Sequence, residues 1–203
     1  MKKIAILASG SGTNAENIVR LFHEGNKIRV VHVLANRQKA GVHERMQKLG
    51  VPTEYIPNSV WENEAYKVVD ILQSKEVDLV VLAGFMRKID SEIINAYKGR
   101  IINIHPSLIP SFCGDGFYGL KVHEAALEKG VKVTGATVHF ANEVCDGGPI
   151  ILQGAIDVLD TDTPETLQKR VMEQVEWKLL PKAVSLFCQD KIVVEGNITK
   201  IKE

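Results

Sequence analysis

The chain has 203 residues, 45% of them hydrophobic, which suits one α/β domain with a sizeable core and leaves little room for a second. Its 25 basic and 25 acidic side chains cancel, so nothing points to a nucleic-acid face or a polybasic membrane anchor, while a small anionic ligand stays open. Cys113, Cys145 and Cys188 are odd in number and far apart, against a disulfide framework or a zinc site and in keeping with a reducing cytoplasm.

In chain order, Met1-Lys2-Lys3 leads into the apolar run Ile4 to Ala8 with no secretory leader expected, and the longest apolar runs are strand-sized, so no membrane span is expected. Ser9-Gly10-Ser11-Gly12-Thr13 breaks that run, and Ala15, Ile18, Leu21 and Phe22 recur at helical spacing, giving strand, glycine loop, helix. A second strand is predicted over Ile28 to Ala35, a short helix over Gly41 to Leu49 and a brief strand near Glu54 to Ile56. Ser59 is the predicted N-cap of one helix whose buried face is Trp61, Ala65, Val68, Val69 and Leu72, and Leu79 to Ala83 follows as a strand. Asp90 caps a short helix carrying Ile93, Ile94 and Tyr97.

The stretch Ile101 to Pro110 is predicted to be a strand that ends in polar chemistry. Alternation places Ile101, Asn103 and His105 on one face, and Pro106 stops the ladder, leaving an amide and an imidazole at a C-terminal strand end. The glycine-bearing segment Ser107 to Gly119 is expected to be a flexible loop and a candidate lid. Beyond it come a helix over Leu120 to Glu128 and strands over Val133 to Phe140 and Pro149 to Val158. A helix then starts at Thr163-Pro164-Glu165, with Leu167, Val171, Val175 and Leu179 on its face until Pro181 kinks or interrupts it, and a hairpin turns at Gly196-Asn197. Strands alternating with helices imply an open, mostly parallel, twisted sheet with helices on both faces, a Rossmann-like α/β fold closed by a small C-terminal hairpin and read as one domain over 1–203.

Three groups of residues carry chemistry. Gly10-Ser11-Gly12-Thr13-Asn14-Ala15 parses as Gly-x-Gly-x-x-Ala, but the second strand ends in Ala35-Asn36-Arg37 without the acidic residue a nicotinamide ribose needs. What remains is a phosphate cradle of amides at a helix start, Gly12, Thr13 and Asn14, beside the simpler reading of a tight turn that needs glycine. The second group is Asn103 with His105. The third is the acidic loop after Thr137-Val138-His139-Phe140, where Asp146 either meets the His105 imidazole, raising its pKa and fixing its tautomer, or only caps the turn into Gly147-Gly148. His139 and His123 are expected to be buried supports, and His23, His32 and His43 lack any polar cluster in the sequence. A cysteine nucleophile is disfavoured, because Asp146 beside Cys145 opposes a thiolate, and no recognised metal-ligand spacing links His105, His139 and Asp146.

Taken together, Ser9-Gly10-Ser11-Gly12-Thr13-Asn14, Leu82-Ala83-Gly84-Phe85-Met86-Arg87, Asn103-Ile104-His105-Pro106-Ser107-Leu108-Ile109-Pro110 and Thr137-Val138-His139-Phe140 with Asp146-Gly147-Gly148-Pro149-Ile150 resemble the phosphoribosylglycinamide formyltransferases. The third piece is shared with related formyltransferases and with the hydrolase of formyltetrahydrofolate. The resemblance implies formyl transfer from 10-formyltetrahydrofolate to the amine of glycinamide ribonucleotide in purine synthesis, without a metal. It implies Asn103, His105 and Asp146 as the catalytic trio, and Gly12, Thr13 and Asn14 on the substrate phosphate, with Glu176 also on the substrate side. Met86, Arg87, Lys88, Ile89 and Asn103 would line the folate side, and Asn142, Glu143, Val144, Cys145 and Asp146 would embrace the pterin.

The partners so implied are two small molecules, neither nucleic acid nor membrane, for a cytoplasmic monomer or homodimer. The chain departs from the family pattern at Asn63, in the long loop after Pro110 that puts Lys121 where a histidine is frequent, and at Glu176-Trp177, which follows one extra helical residue.

Overall fold

The computed structural model describes residues 1–22 and 27–202, so His23 lies outside the described residues. The chain forms two compact units, Met1–Asn103 and Ile104–Glu203.

In the first unit the strand order is β3-β2-β1-β4-β5 and every pairing is parallel. Strand β1 (Lys2–Ala8) is central, and its apolar run from Ile4 to Ala8 is wholly buried, as a strand covered on both faces requires. It pairs with β2 (Ile28–Ala35) on one side and β4 (Leu79–Leu82) on the other, while β3 (Thr53–Tyr55) flanks β2 and β5 (Ile101–His105) flanks β4. Helices α1 (Thr13–Phe22), α2 (Gly41–Lys48), α3 (Asn58–Asn63), α4 (Ala65–Ser74) and α5 (Ser91–Ala96) connect them. The chain winds outward from β1 to β3 and then returns to β4 on the other side. This places a switch of direction between β1 and β4, the position at whose C-terminal strand ends open α/β sheets bind ligands.

Two local expectations change here. Ser59 does not cap a single helix: Pro57, with φ −60°, leads directly into Asn58, and the helix breaks at Glu64 before α4 begins. The predicted apolar face survives the break, because Trp61, Ala65, Val68, Val69 and Leu72 are all buried. Asp90 does cap α5, its carboxylate accepting from the Glu92 amide at 2.8 Å.

The second unit opens with Ile104 and His105, the last two residues of β5. Strands β6 (Val133–Phe140) and β7 (Ile150–Asp157) pair antiparallel, and the tail hairpin β8 (Ile192–Glu195) and β9 (Ile198–Ile201) joins the far edge of β7, giving β6-β7-β9-β8. Helix α6 (Leu120–Lys129) precedes β6. Thr163 caps α7 (Pro164–Val171) in a reciprocal capping box with Thr166.

Pro181 does not interrupt the last helix. It lies buried within α8 (Trp177–Cys188), five residues into it, where its missing N–H forfeits only the bond to the first carbonyl of α8, that of Trp177. The irregularity lies upstream, in a π turn over Met172–Glu176. A π turn carries one residue more than an α turn, and the buried positions record it: Leu167, Val171, Val175, Leu180 and Val184, with a spacing of five across the turn. Leu180 therefore takes the buried place expected of Leu179.

Candidate active site

The glycine loop leaves the C-terminal end of β1. Ser9 is buried, its amide donates to the Gly84 carbonyl at 3.1 Å, and its hydroxyl accepts from the Met86 amide at 2.8 Å. The loop and the Met86–Ile89 stretch are thus pinned to each other at the switch between β1 and β4. Gly12 adopts φ +79°, and a Cβ placed on it would lie 2.6 Å from Cβ and Cγ2 of Val42 on α2. Both facts demand glycine. The Gly12 carbonyl accepts from the Glu16 amide at 2.8 Å, so α1 starts directly at the loop, with Thr13 and Asn14 half-buried in its first turn. The helix start presents backbone amides and positive dipole, the condition for holding an anion.

Around Met86 to Ile89, Met86 is exposed, Arg87 pairs with Glu62 at 2.5 Å, and Phe85 packs on Trp61 with ring centroids 4.9 Å apart. Asn103 closes the first unit on β5, paired with Leu82 of β4 and less buried than Ile102 beside it.

In the second unit the sequence residues His105 and Asp146 come together. The Asp146 side chain is only 8% exposed, with Oδ2 3.5 Å from His105 Nδ1 and Oδ1 3.5 Å from His139 Nε2. The Gly114 amide donates to Oδ2 at 2.9 Å. Asp146 therefore does more than cap a turn. Its backbone, at φ +53°, is in the left-handed region that aspartate tolerates better than most residues. The hairpin is closed by Phe140 and Pro149, and a Cβ on Gly148 would fall 1.8 Å from the Phe140 carbonyl oxygen, so that glycine is what allows the strands to close behind Asp146.

Each imidazole has one nitrogen committed elsewhere. His105 Nε2–H donates to the Phe112 carbonyl at 2.8 Å, and His139 Nδ1–H donates to the Phe140 carbonyl at 2.8 Å. The nitrogens left over both face the one carboxylate. The tautomer of His105 is thus set by a backbone carbonyl of the 107–119 loop.

That loop is tied down from below. The Thr137 hydroxyl donates to the Ser107 carbonyl at 2.7 Å and accepts from the Ile109 amide at 3.1 Å and from Gln153 Nε2 at 3.0 Å, while Ser107 Oγ donates to the Ser111 carbonyl at 2.6 Å. The flexible lid expected from composition is in this structure a series of hydrogen-bonded turns whose Phe112 carbonyl and Gly114 amide belong to the site.

Asp146 acts on His105 in the direction expected, but burial opposes it. Burial pushes the His105 pKa down; the Asp146 charge and the Phe112 carbonyl pull it up and His139 opposes them, and the net is a value below the ordinary 6.5. For Asp146, burial disfavours the carboxylate, yet the His139 hydrogen bond, the His105 charge and the Gly114 amide outweigh it and hold the pKa below the usual range. The Cys113 thiol is pushed up by burial and then by Asp146.

The remaining sequence-predicted residues have distinct settings. Asn142, Glu143, Val144 and Cys145 are all exposed on the loop ahead of Asp146, and Asn142 Oδ1 accepts from the Val144 amide at 3.0 Å. Glu176 is buried at the end of the π turn. His139 and His123 are buried as expected. His32 and His43 do have partners that sequence spacing concealed: His32 Nε2 lies 3.2 Å from Glu54, and His43 Nδ1 lies 3.0 Å from Thr53 Oγ1. Sequence reasoning missed Phe112, Gly114 and the Asp146 contact of His139. The alternation that puts Thr137 and His139 on one face of β6 is the only signal that could have hinted at the last.

A family model described as formyl transferase matches residues 2–184. The chain belongs to the formyl transferase family. Among its curated relatives, the phosphoribosylglycinamide formyltransferase of Bacillus subtilis is 39% identical over 91% of this chain and 93% of that protein. The chloroplastic phosphoribosylglycinamide formyltransferase of Arabidopsis thaliana is also 39% identical, over 94% of this chain and 67% of its own length. The chain spans 62% of a second plant relative, from Vigna unguiculata, and about a fifth of the human trifunctional purine biosynthetic protein adenosine-3.

Among solved structures, glycinamide ribonucleotide transformylase 1 from Symbiobacterium toebii superposes with a TM-score of 0.92 at 39% identity, over all of this chain and 95% of that one. A formyltetrahydrofolate deformylase from Pseudomonas syringae shares the fold at TM-score 0.87 but is 26% identical, and this chain covers 66% of it. The mostly parallel sheet with helices and a C-terminal hairpin is the fold of these enzymes, and this family member is a formyltransferase.

Proposed function

We propose that this formyltransferase moves the formyl group of 10-formyltetrahydrofolate onto the amine of glycinamide ribonucleotide, a step of purine biosynthesis, with residues 1–203 acting as one catalytic domain. The observation that carries the chemistry is the buried Asp146 carboxylate held between two imidazoles and an amide, in a chain 39% identical to named phosphoribosylglycinamide formyltransferases. Gly12, Thr13 and Asn14 take the ribonucleotide phosphate and Glu176 lies on the substrate side. Met86, Arg87, Lys88 and Ile89, with Asn103 and the loop Asn142 to Asp146, take the folate.

In the reaction the amine nitrogen bonds to the formyl carbon, the bond from that carbon to the folate nitrogen breaks, and a proton passes from the amine to the folate nitrogen. Asn103 donates to the oxygen that becomes negative in between. His105 commits its Nε2 proton to Phe112 and turns Nδ1 toward Asp146, and the amine proton is shuttled either by His105 itself or by a water that Asp146 orders. Where His105 is the shuttle, Asp146 stabilises the imidazolium that results. Holding both substrates together supplies much of the rate, and no covalent enzyme intermediate is needed.

Both substrates are small molecules, and the protein works in the cytoplasm without a metal, as a monomer or homodimer. Among the described residues no helix is long and apolar enough to cross a membrane.

The test is to mix the purified protein with 10-formyltetrahydrofolate, with and without glycinamide ribonucleotide, and follow folate absorbance. Turnover only with the ribonucleotide is expected. Equal turnover without it would make the chain a deformylase, and none in either mixture would overturn the reading.

A further inference from the structure

Helix α2 does not contact the proposed phosphate loop by chance packing alone. Gly41 and Val42 at its start press on Ser11 and Gly12: a Cβ on Gly41 would sit 3.3 Å from Ser11 Cα, and the Val42 amide donates to the Gly10 carbonyl at 3.2 Å. One turn further on, Arg45 Nε–H donates to the Ser11 carbonyl at 2.9 Å, and Nη1 of the same guanidinium pairs with Glu16 in the first turn of α1. Arg20 also pairs with Glu16, at 2.7 Å, so that carboxylate is fixed by two cations and held well ionised.

The Ser11 carbonyl and the Gly12 amide belong to one planar trans peptide, whose C=O and N–H point in opposite directions. A donor that fixes the carbonyl therefore fixes the aim of the Gly12 N–H. A cationic donor also polarises the peptide, making that N–H a stronger donor on its far side. The planar fork of arginine is suited to this, since one edge reaches the carbonyl and another the carboxylate, which a lysine ammonium on a flexible stem cannot do in the same geometry.

We infer that Arg45 is a positioning residue for the phosphate loop: it sets and polarises the Gly12 amide through the Ser11 carbonyl, with Glu16 as its anchor. It tunes affinity for the phosphate-bearing substrate and leaves the formyl-transfer chemistry alone. The inference rests on the reading of Gly12, Thr13 and Asn14 as the phosphate site. The groove that Arg45 lines, about 410 Å³ with Ser11, Glu16, Arg20, Gly41, Glu44 and Lys48 on its walls, is open enough to admit a small cation in its place.

The experiment compares the full-length protein with its Arg45→Ala, Arg45→Lys and Gly12→Ala variants, after circular dichroism has shown which are folded. It measures kcat, KM for each substrate, and binding of inorganic phosphate. Arg45→Ala and Arg45→Lys are expected to raise KM for glycinamide ribonucleotide about tenfold and to weaken phosphate binding alike, with kcat and KM for the formyl donor unchanged. Millimolar guanidinium is expected to restore KM in Arg45→Ala.

A wild-type KM in both folded arginine variants, or a fall in kcat with KM unchanged, overturns the inference. If Gly12→Ala raises KM while the arginine variants do not, only the role of Arg45 fails. If the wild-type protein binds no phosphate and folded Gly12→Ala keeps its KM, the phosphate-loop reading fails and the inference with it. Should Arg45→Ala not fold, Arg45→Lys decides by the same measures.

Discussion

The loop at Gly12 and the cluster at Asp146 use different parts of the chain for their tasks. The first is main chain: its working groups are amides at a helix start, and the side chains around it, Val42, Ser9 and Arg45, serve to hold backbone in place. The second is side chain: a carboxylate from the β6–β7 loop, an imidazole from β5 and another from β6, with backbone from the 107–119 loop fixing tautomers. A backbone site binds a fixed charge and changes little during reaction, whereas a site of titratable side chains can take up and release a proton. That difference is what suits the first region to the binding, and the second to the proton movement, that we propose for them.

The sharpest way to break the comparison is Asp146→Asn, which keeps the side chain's shape and removes its charge. The single-turnover rate is expected to fall about 1000-fold while KM for both substrates stays close to wild type. An unchanged single-turnover rate would take the carboxylate out of the chemistry. The same region should show an acid limb in its pH–rate profile. His105 accepts a proton in its neutral form, so activity falls as pH drops through its lowered pKa, below 6.5, and His105→Gln should abolish the limb along with most of the rate.

At the backbone site Gly12→Ala meets two obstacles, a positive φ and a 2.6 Å approach to Val42. Chemical denaturation should show a loss of about 2–4 kcal/mol, and KM for the ribonucleotide should rise. Adding Val42→Ala relieves the overlap but not the φ, so recovery by the double variant should be partial; full recovery would show that backbone geometry is not limiting there.

His123 sharpens the electrostatic side. It is wholly buried, neither ring nitrogen has a hydrogen-bond partner among the described residues, and burial, then the nearby His105 charge, push its pKa down to about 4. The unfolded chain binds that proton at its ordinary value of 6.5, so between 6.5 and about 4 it holds more protons than the folded one and stability falls as pH falls. The loss amounts to about 3 kcal/mol, and denaturation of His123→Leu across that window should show it removed. The smallest effect belongs to Thr137→Val, which leaves the Ser107 carbonyl and Ile109 amide short of a partner. About 2 kcal/mol of stability should be lost in thermal or chemical unfolding, with the 107–119 loop loosened under His105.

Where a structural feature depends on neighbours in sequence, it was legible before any coordinates. The bounds of β2 and β6, the Asp90 cap and the Thr163 start follow from local pattern, as do the glycine loop and the strand ending at His105, because propensity, alternation and capping act over a few residues. The π turn showed only as one extra helical residue before Trp177, because its spacing of five is read directly only when it is known which of Leu179 and Leu180 is buried. The break at Glu64 was hidden because the apolar face continues across it.

By itself, then, the sequence determined the alternation of strands and helices, the glycine at position 12, and the placing of Asn103 and His105 on one strand end. Tertiary structure alone decided that β9 would lie parallel to β7, that Asp146 would stand between two imidazoles, and that burial would draw the His105 pKa down. These outcomes depend on which strands become neighbours and how much water is excluded. Desolvation in particular is a property of the packed interior, and it outweighs the charge of Asp146, the effect that sequence reasoning could see.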